Sequence, residues 1–304
     1  MTVTPEQAAF LKALVDAHLL TVTGVAGVYG RGADFERIRL AFDALVTRTA
    51  EIDEPEPLLF PPILLREHLE TNGYLSSFPH LAGTVFGFEG SEQQAADLAD
   101  AASRHEDWSQ FEKMTDMVLA PAACYAIYPA VARRGPVPEA GLSFDTGDAY
   151  VFRHEPSDDP ARLQIFHMRE IVRVGAPDSV LEWRLAWRER AIELLRSLGL
   201  SVDLDIASDP FFGRTGRLMA AQQRDQELKW ELVAPIAGNP TALGSSNYHQ
   251  DHFGAPYDIR TESGEVAHTS CLGFGEERVT LSLFSAHGLD VQQWPETVRD
   301  RLAL

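Results

Sequence analysis

The sequence predicts an α+β protein, and three observations carry that expectation. Residues 149–175 read as an antiparallel hairpin: Tyr150–Phe152 and Leu163–Val174 are apolar runs, and the PSDDPAR between them holds prolines and aspartates that a strand interior excludes. Residues 177–200 place Trp183, Leu185, Trp187, Ile192 and Leu195 among the apolar positions of one long helix, and VDLDIA follows it as a strand. Amphipathic helical stretches also open and close the chain.

In chain order, Thr4-Pro5-Glu6-Gln7 supplies an N-cap, a first-turn proline and a capping-box glutamine for a helix whose inner face holds Phe10, Leu11, Leu14, Val15 and Leu19. TVTGVAGVYGRG reads as a glycine-rich turn. A second helix spans about 34–50, with Phe35, Ile38, Phe42, Leu45 and Val46 inward. EIDEPEPLLFPP is an acidic, proline-rich hinge. It divides a helical segment, 1–52, from a body, 53–304, or lies within one continuous domain. Beyond it, ILLREHLETNG reads as a helix closed by Gly73, HLAGTVFGFEG contains a short strand, and Ser91-Glu92 starts an alanine-rich helix. Trp108, Phe111, Met114 and Met117 recur at helical spacing and predict a helix over 107–117 with those four in the core. PAACYAIYPAVARRG reads as a buried strand. After the long helix come a basic segment with a short helix, the strand 227–235, a His- and Asn-rich stretch SSNYHQDHFG, and a small helix over 295–302.

Composition sets bounds on function. The 304 residues are 45% hydrophobic, enough to bury a full core. The absence of a long apolar run and of a basic-then-apolar leader predicts no membrane span and no secretion. Two cysteines cannot build a disulfide framework and suit a reducing cytoplasm. A net charge of −19 repels nucleic acid, so neither tRNA nor DNA is an expected partner.

Two stretches carry chemistry. In FRHE, the loop and RLQIFHMRE, alternate positions put Arg153 with Glu155 on one face and Arg162, Phe166 and Glu170 on one face. Arginine, aromatic ring and carboxylate together suit phosphate, base and cation. In TSCLGFGEER, glycines admit close backbone approach, and Arg278 stands at the start of a helix. Taken singly, each stretch also suits an ordinary hairpin or a strand-to-helix turn; their joint occurrence in this order decides. The first resembles motif 2 and the second motif 3 of the class II aminoacyl-tRNA synthetases, and Pro62 with the helix after it resembles motif 1. The resemblance implies a class II synthetase-like antiparallel sheet flanked by helices, in a homodimer. It also implies that Arg153 binds the α-phosphate of ATP and the substrate carboxylate, with Glu155 beside it. Arg162 and Arg278 would then bind the phosphates and Phe166 the adenine.

By sequence alone, Cys124 and Cys271 read as two buried, inert thiols, since no CxxC spacing links them. Together with Glu170 they resemble the Cys, Glu and Cys that hold catalytic zinc in the atypical seryl-tRNA synthetases of methanogenic archaea. That likeness implies a zinc ion with three protein ligands and a fourth position for the α-amino group of an amino acid. Glu265, ahead of His268-Thr269, resembles the Mg²⁺-binding glutamate of seryl enzymes. Lys229, Glu231 and Asn247 are candidates for the substrate pocket.

The large tRNA-binding domain of those synthetases has no counterpart in this sequence. The combination resembles the amino acid:[carrier protein] ligases, over roughly residues 55–290. It implies ATP-dependent activation of a small amino acid, glycine or alanine, and transfer to the phosphopantetheine thiol of an acyl carrier protein. Arg214, Arg217 and Arg224, with Leu218 and Met219, are the expected carrier-docking surface; the Arg184–Arg196 face of the long helix is its rival. A non-catalytic amino-acid sensor and a seryl-type tRNA synthetase are the alternatives. Retention of Arg153, Arg162 and Arg278 weighs against the first, and the acidic charge against the second.

Overall fold

The computed structural model describes residues 3–304, less the side chains at 214 and 215. The chain opens with α1 (Pro5–Asp16), capped as the sequence predicts by reciprocal bonds between Thr4 and Gln7. The glycine-rich stretch is a small hairpin, β1 (Leu20–Val22) with β2 (Tyr29–Arg31), and leads into α2 (Ala33–Ala50). Next come β3 (Glu56–Pro57), β4 (Ile63–Leu65), α3 (Arg66–Thr71), α4 (Tyr74–Ser77), β5 (Thr84–Phe88), α5 (Glu92–Ser103), β6 (Glu112–Leu119) and α6 (Ile127–Ala132). The central part holds β7 (Leu142–Asp145), β8 (Ala149–Phe152), β9 (Ile165–Gly175), α7 (Pro177–Ser197) and β10 (Asp203–Ile206). Then follow α8 (Gly213–Asp225), β11 (Lys229–Ile236), β12 (Asn239–Gln250), β13 (His268–Gly275), α9 (Glu276–His287) and α10 (Glu296–Leu302).

An eight-stranded sheet, ordered β10-β11-β12-β13-β9-β7-β3 with β8 also paired to β9, forms the spine. All its pairings are antiparallel except β3 with β7. One face carries Leu232, Leu272, Phe274 and Ile171, which join α2, α7 and α9 in the main core. Segment 1–52 is part of that core: Phe42 meets Phe274 edge-on at 5.4 Å, and Phe35 stacks on Phe284 at 6.0 Å. The acidic hinge is held too, because Asp53 accepts hydrogen bonds from Trp183 at 3.1 Å and Arg190 at 3.0 Å, and one from Trp187. A smaller sheet, β4-β6-β5, stands beside the spine. No helix among the described residues is long and apolar enough to cross a membrane.

Four expectations need correction. Residues 107–117 are a short 3₁₀ turn and strand β6, not a helix, and Trp108, Met114 and Met117 are exposed rather than core. Pairing with β4 and β5 overrides local spacing there, and the irregular register between Thr84 and Phe86 lets a period near three persist in a strand. The 120–134 stretch is a 3₁₀ turn followed by α6, not a strand. Ile127, Tyr128, Pro129 and Val131 are all buried, so the helical period that would identify it is erased. Pro129 is tolerated because first-turn N–H groups have no helical partner. Residues 63–65 of the expected ILLREHLETNG helix form a strand, β4. Leu185, expected inward, is exposed on α7.

Candidate active site

Directly opposed residues in paired strands share a sheet face. One such row runs Glu231–Ser245–Gly273–Glu170 across β11, β12, β13 and β9, and the next runs Lys229–Asn247–Cys271–Val172. Alternation along β9 adds Phe166 and Met168 to the same face. Six residues chosen from sequence therefore meet on one surface, opposite the face that builds the main core.

Cys124 comes to this surface from the 3₁₀ turn before α6. Its backbone N–H donates to Glu170 Oε1 at 3.2 Å, and that of Ala123 donates to the same oxygen at 2.8 Å. The ligand atoms of Cys124, Glu170 and Cys271 all lie within 4.8 Å of one another, and all three residues are buried. Glu170 has no cationic partner among the described residues at ion-pair distance, which is costly for a buried carboxylate. Burial, with Cys271 and Glu170 adjacent, holds the Cys124 thiol well above its ordinary value. A divalent cation is the group that lets two thiolates and a carboxylate ionise together, so this donor set fits zinc. Supporting contacts are in place: Asn247 Nδ2 donates to Cys271 Sγ at 3.4 Å, and His249 Nε2 lies 3.7 Å from the same sulfur. Burial pushes His249 down to about 3, so its imidazole is neutral. An aromatic wall stands alongside, with Tyr128 stacked on Phe253 at 4.0 Å and Tyr125 edge-on to Phe253 at 5.4 Å.

The guanidinium groups gather at the other end of the face. Arg153 Nε donates to the Pro121 carbonyl at 3.0 Å, and its Cζ lies 5.6 Å from the Phe166 ring centre. Arg162 pairs with Glu155 at 3.4 Å. Arg278, in the first turn of α9, donates to the carbonyls of Ala161 at 2.8 Å and Ala242 at 3.1 Å. Burial, and then the charges of Arg153 and Arg162, pull Arg278 below its ordinary value. Three positive groups crowded in this way form a seat for a polyanion.

Glu265 does not join them. It is exposed in the turn before β13, and its backbone carbonyl accepts from Thr261 at 2.9 Å. The eight residues of β13 separate it from Arg278, about 25 Å at the usual rise. Besides Glu155, the carboxylates that stand near the arginines are Glu231 and Asp209. Lys229 bridges them, at 2.6 Å from Asp209 and 3.2 Å from Glu231. Burial opposes the Asp209 charge, but Lys229 and the Gln223 hydrogen bond hold its carboxyl below the usual range. Asp209 was missed in the sequence because it lies twenty positions from Lys229 in an irregular stretch, with no period to mark it.

Gln223 belongs to α8 and grips Asp209 with two hydrogen bonds, at 2.7 and 2.9 Å. Helix α8 therefore stands at the rim of the site. Its Arg217 and Arg224 are exposed, as are Leu218 and Met219, whereas the side chain of Arg214 lies outside the described residues. The rival face on α7 is engaged internally: Arg184 is buried against the carbonyls of Glu227 and Ser246, and Arg190 pairs with Asp53.

No family model matches the chain. Two proteins of Bradyrhizobium diazoefficiens are similar over almost its whole length. Amino acid–[acyl-carrier-protein] ligase 1 is 45% identical over 283 residues, 92% of this chain and 86% of that protein. Ligase 2 of the same organism is 45% identical over 303 residues, 99% and 90% of the two chains. The type-2 serine–tRNA ligase of Methanopyrus kandleri is 26% identical over 295 residues, and the match spans 54% of that enzyme. Among solved structures, the M. kandleri seryl-tRNA synthetase in complex with A. aeolicus tRNASec superposes with a TM-score of 0.83 at 19% identity, over 96% of this chain and 60% of that one. The serine–tRNA ligase of Naegleria fowleri in complex with AMP gives 0.70 at 16% identity, over 97% and 65%. The spine sheet with its helices thus has the class II synthetase fold.

Proposed function

The chain belongs to the amino acid–[acyl-carrier-protein] ligase family, and on that premise we propose that it activates a small amino acid as its adenylate and passes it to a carrier thiol. The observation that carries this reading is the single sheet face on which Cys124, Glu170 and Cys271 adjoin a cluster of three arginines. One end of the face suits the amino acid and the other the triphosphate, so a carboxylate is held beside an α-phosphate.

ATP enters as its Mg²⁺ complex, with Arg153, Arg162 and Arg278 on the phosphates and Phe166 under the adenine. Glu155 orients Arg162, and Glu231 rather than Glu265 is the second carboxylate beside the phosphate arginines. A carboxylate oxygen of the amino acid attacks the α-phosphorus, and the bond to the β-phosphate breaks to release pyrophosphate. Negative charge grows on the phosphates, and fixed guanidinium groups stabilise it without reorganising. The carrier's phosphopantetheine sulfur then attacks the activated carbonyl carbon, and AMP leaves with the electron pair of the broken C–O bond. Zinc held by Cys124, Glu170 and Cys271 supplies, when bound, a Lewis-acid site for the substrate's α-amino group. Asn247 and the backbone N–H groups of Ala123 and Cys124 orient those ligands. The aromatic wall of Tyr125, Tyr128 and Phe253 alongside the cluster supports a small side chain, hence glycine or alanine. Lys229 and Asp209 complete the polar side of the pocket.

Helix α8 is the proposed dock for the acidic carrier: Arg214, Arg217 and Arg224 supply charge, Leu218 and Met219 apolar surface, and Asp209 ties the helix to the pocket. The β4-β6-β5 sheet supports a homodimer, because Leu65, Phe86, Met114 and Met117 stand exposed on it. Two buried free thiols suit a cytoplasmic setting. The deciding experiment is amino-acid-dependent ATP–pyrophosphate exchange across a panel of small amino acids, with zinc content measured on the same protein. Exchange with glycine or alanine and stoichiometric zinc is the expected result; a flat panel removes the adenylate step.

A further inference from the structure

Segment 1–52 matches no motif, yet two of its arginines reach the two carboxylates that stand directly before Arg278. Arg31, at the end of β2, hydrogen-bonds the Glu277 carboxylate, pairs with Glu36 at 2.5 Å and donates to the Tyr150 hydroxyl at 2.6 Å. Arg39, on α2, donates to Glu276 at 2.5 Å and to Asp148 at 2.8 Å, and pairs with Glu36 at 3.1 Å. Glu36 thus couples the two guanidinium groups. Arg39, Glu276 and Glu277 are at most 3% exposed.

Glu277 makes the second half of the connection. Its two oxygens accept the His167 backbone N–H at 2.8 and 3.0 Å, and one of them lies 2.7 Å from His167 Nδ1. That same nitrogen is 2.9 Å from Arg31 Nη1. His167 directly follows Phe166, and Glu277 directly precedes Arg278. One carboxylate therefore fixes the start of β9 against the first turn of α9.

The geometry points to Arg31 and Arg39 as positioning residues for ATP: through Glu277 and Glu276 they set the separation between Phe166 and Arg278. The inference rests on the reading of those two side chains as ATP-binding groups. Without Arg31, the buried Glu277 charge loses its main counter-ion and must draw in water or a proton. Either change weakens its hold on the His167 N–H and lets β9 and α9 drift apart. Cys124, Glu170, Cys271 and Asn247 lie farther along the sheet and touch neither arginine, so the amino-acid end of the face is spared.

The test compares Arg31→Gln and Arg31→Lys with the unaltered chain, by calorimetric titration with MgATP and by exchange kinetics. Arg31→Gln is expected to raise the Kd and KM for ATP about tenfold, while the amino-acid KM and the zinc content stay within about twofold, with partial recovery in Arg31→Lys. Unchanged ATP affinity in folded Arg31→Gln overturns the proposal. So does a parallel rise in both KM values with a lowered Tm, which marks general scaffolding. If Arg31→Gln does not fold, Glu36→Gln decides by the same criteria, since its side chain is 30% exposed and bridges both arginines. Absence of exchange in the unaltered protein defeats the ligase reading while the clamp is still judged from ATP binding; absence of ATP binding overturns the clamp as well.

Discussion

Glu170 and Gly273 face each other across β9 and β13, and a Cβ at position 273 would stand 3.1 Å from Glu170 Cγ. A side chain at this position would therefore crowd the carboxylate of the Cys124–Glu170–Cys271 cluster. Its neighbour two positions back is Cys271, so one short strand supplies a member of the cluster and the space for another.

Zinc content is the first consequence. Protein as isolated should carry about one zinc per chain by elemental analysis. Cys124→Ala and Cys271→Ala should each lose it together with amino-acid-dependent exchange. Gly273→Ala should retain the fold but hold zinc more weakly, with a measurable rise in loss to a chelator. Full zinc in Cys271→Ala would exclude the assignment.

The phosphate arginines should act on rate. Arg278→Ala is expected to lower exchange by about a hundredfold or more, as removal of a fixed transition-state donor does. Zinc content should be unaffected, because Arg278 bonds the Ala161 and Ala242 carbonyls and stands apart from the sulfurs. Glu265→Ala should leave exchange nearly unchanged, whereas Glu231→Ala should not. The opposite ranking of the two glutamates would restore the sequence-based choice.

Carrier loading separates from activation at α8. Reversing charge at Arg217 and Arg224 should slow transfer to the carrier about tenfold at low ionic strength, an effect that shrinks as salt rises. Exchange needs no carrier and should stay close to the unaltered rate. Equal losses in both assays would place α8 in the pocket rather than at a docking surface.

Glu276 predicts a pH dependence of stability. Burial, then Asp43, against the opposing pull of Arg39, raises its carboxyl from 4.5 to about 9. Below the unfolded value both states hold the proton. Above it the unfolded chain releases the proton while the folded one keeps it, so stability declines from about pH 5 toward about pH 9. Glu276→Gln removes that contribution, and the Tm difference should shift in the variant's favour between about pH 5 and about pH 8. A constant offset across that range would mean that Glu276 stays ionised beside Arg39.

Much of the site could be read from the sequence because strand alternation is local. Phe166 and Glu170 share a face by parity alone, and FRHE, RLQIFHMRE and TSCLGFGEER each sit on one strand or at its end. Capping residues did the same for helices, as with Thr4 and Gln7 or with Ser91. Where burial surrounds an element, as at Ile127–Val131, no period survives; where a ladder is irregular, as along β6, a false one appears.

The sequence by itself determined which chemistry is present: arginines with an aromatic ring, two cysteines with a glutamate, and an acidic chain. Only the tertiary structure decided which groups meet. Register across four strands lined Glu231 and Lys229 up with Gly273 and Cys271, and left Glu265 at the end of β13 away from Arg278. Long-range packing brought Asp209 to Lys229, and Arg31 and Arg39 to the carboxylates before Arg278. Such pairings join residues far apart in the chain, and no local spacing records them, because they are made by tertiary contacts rather than between sequence neighbours.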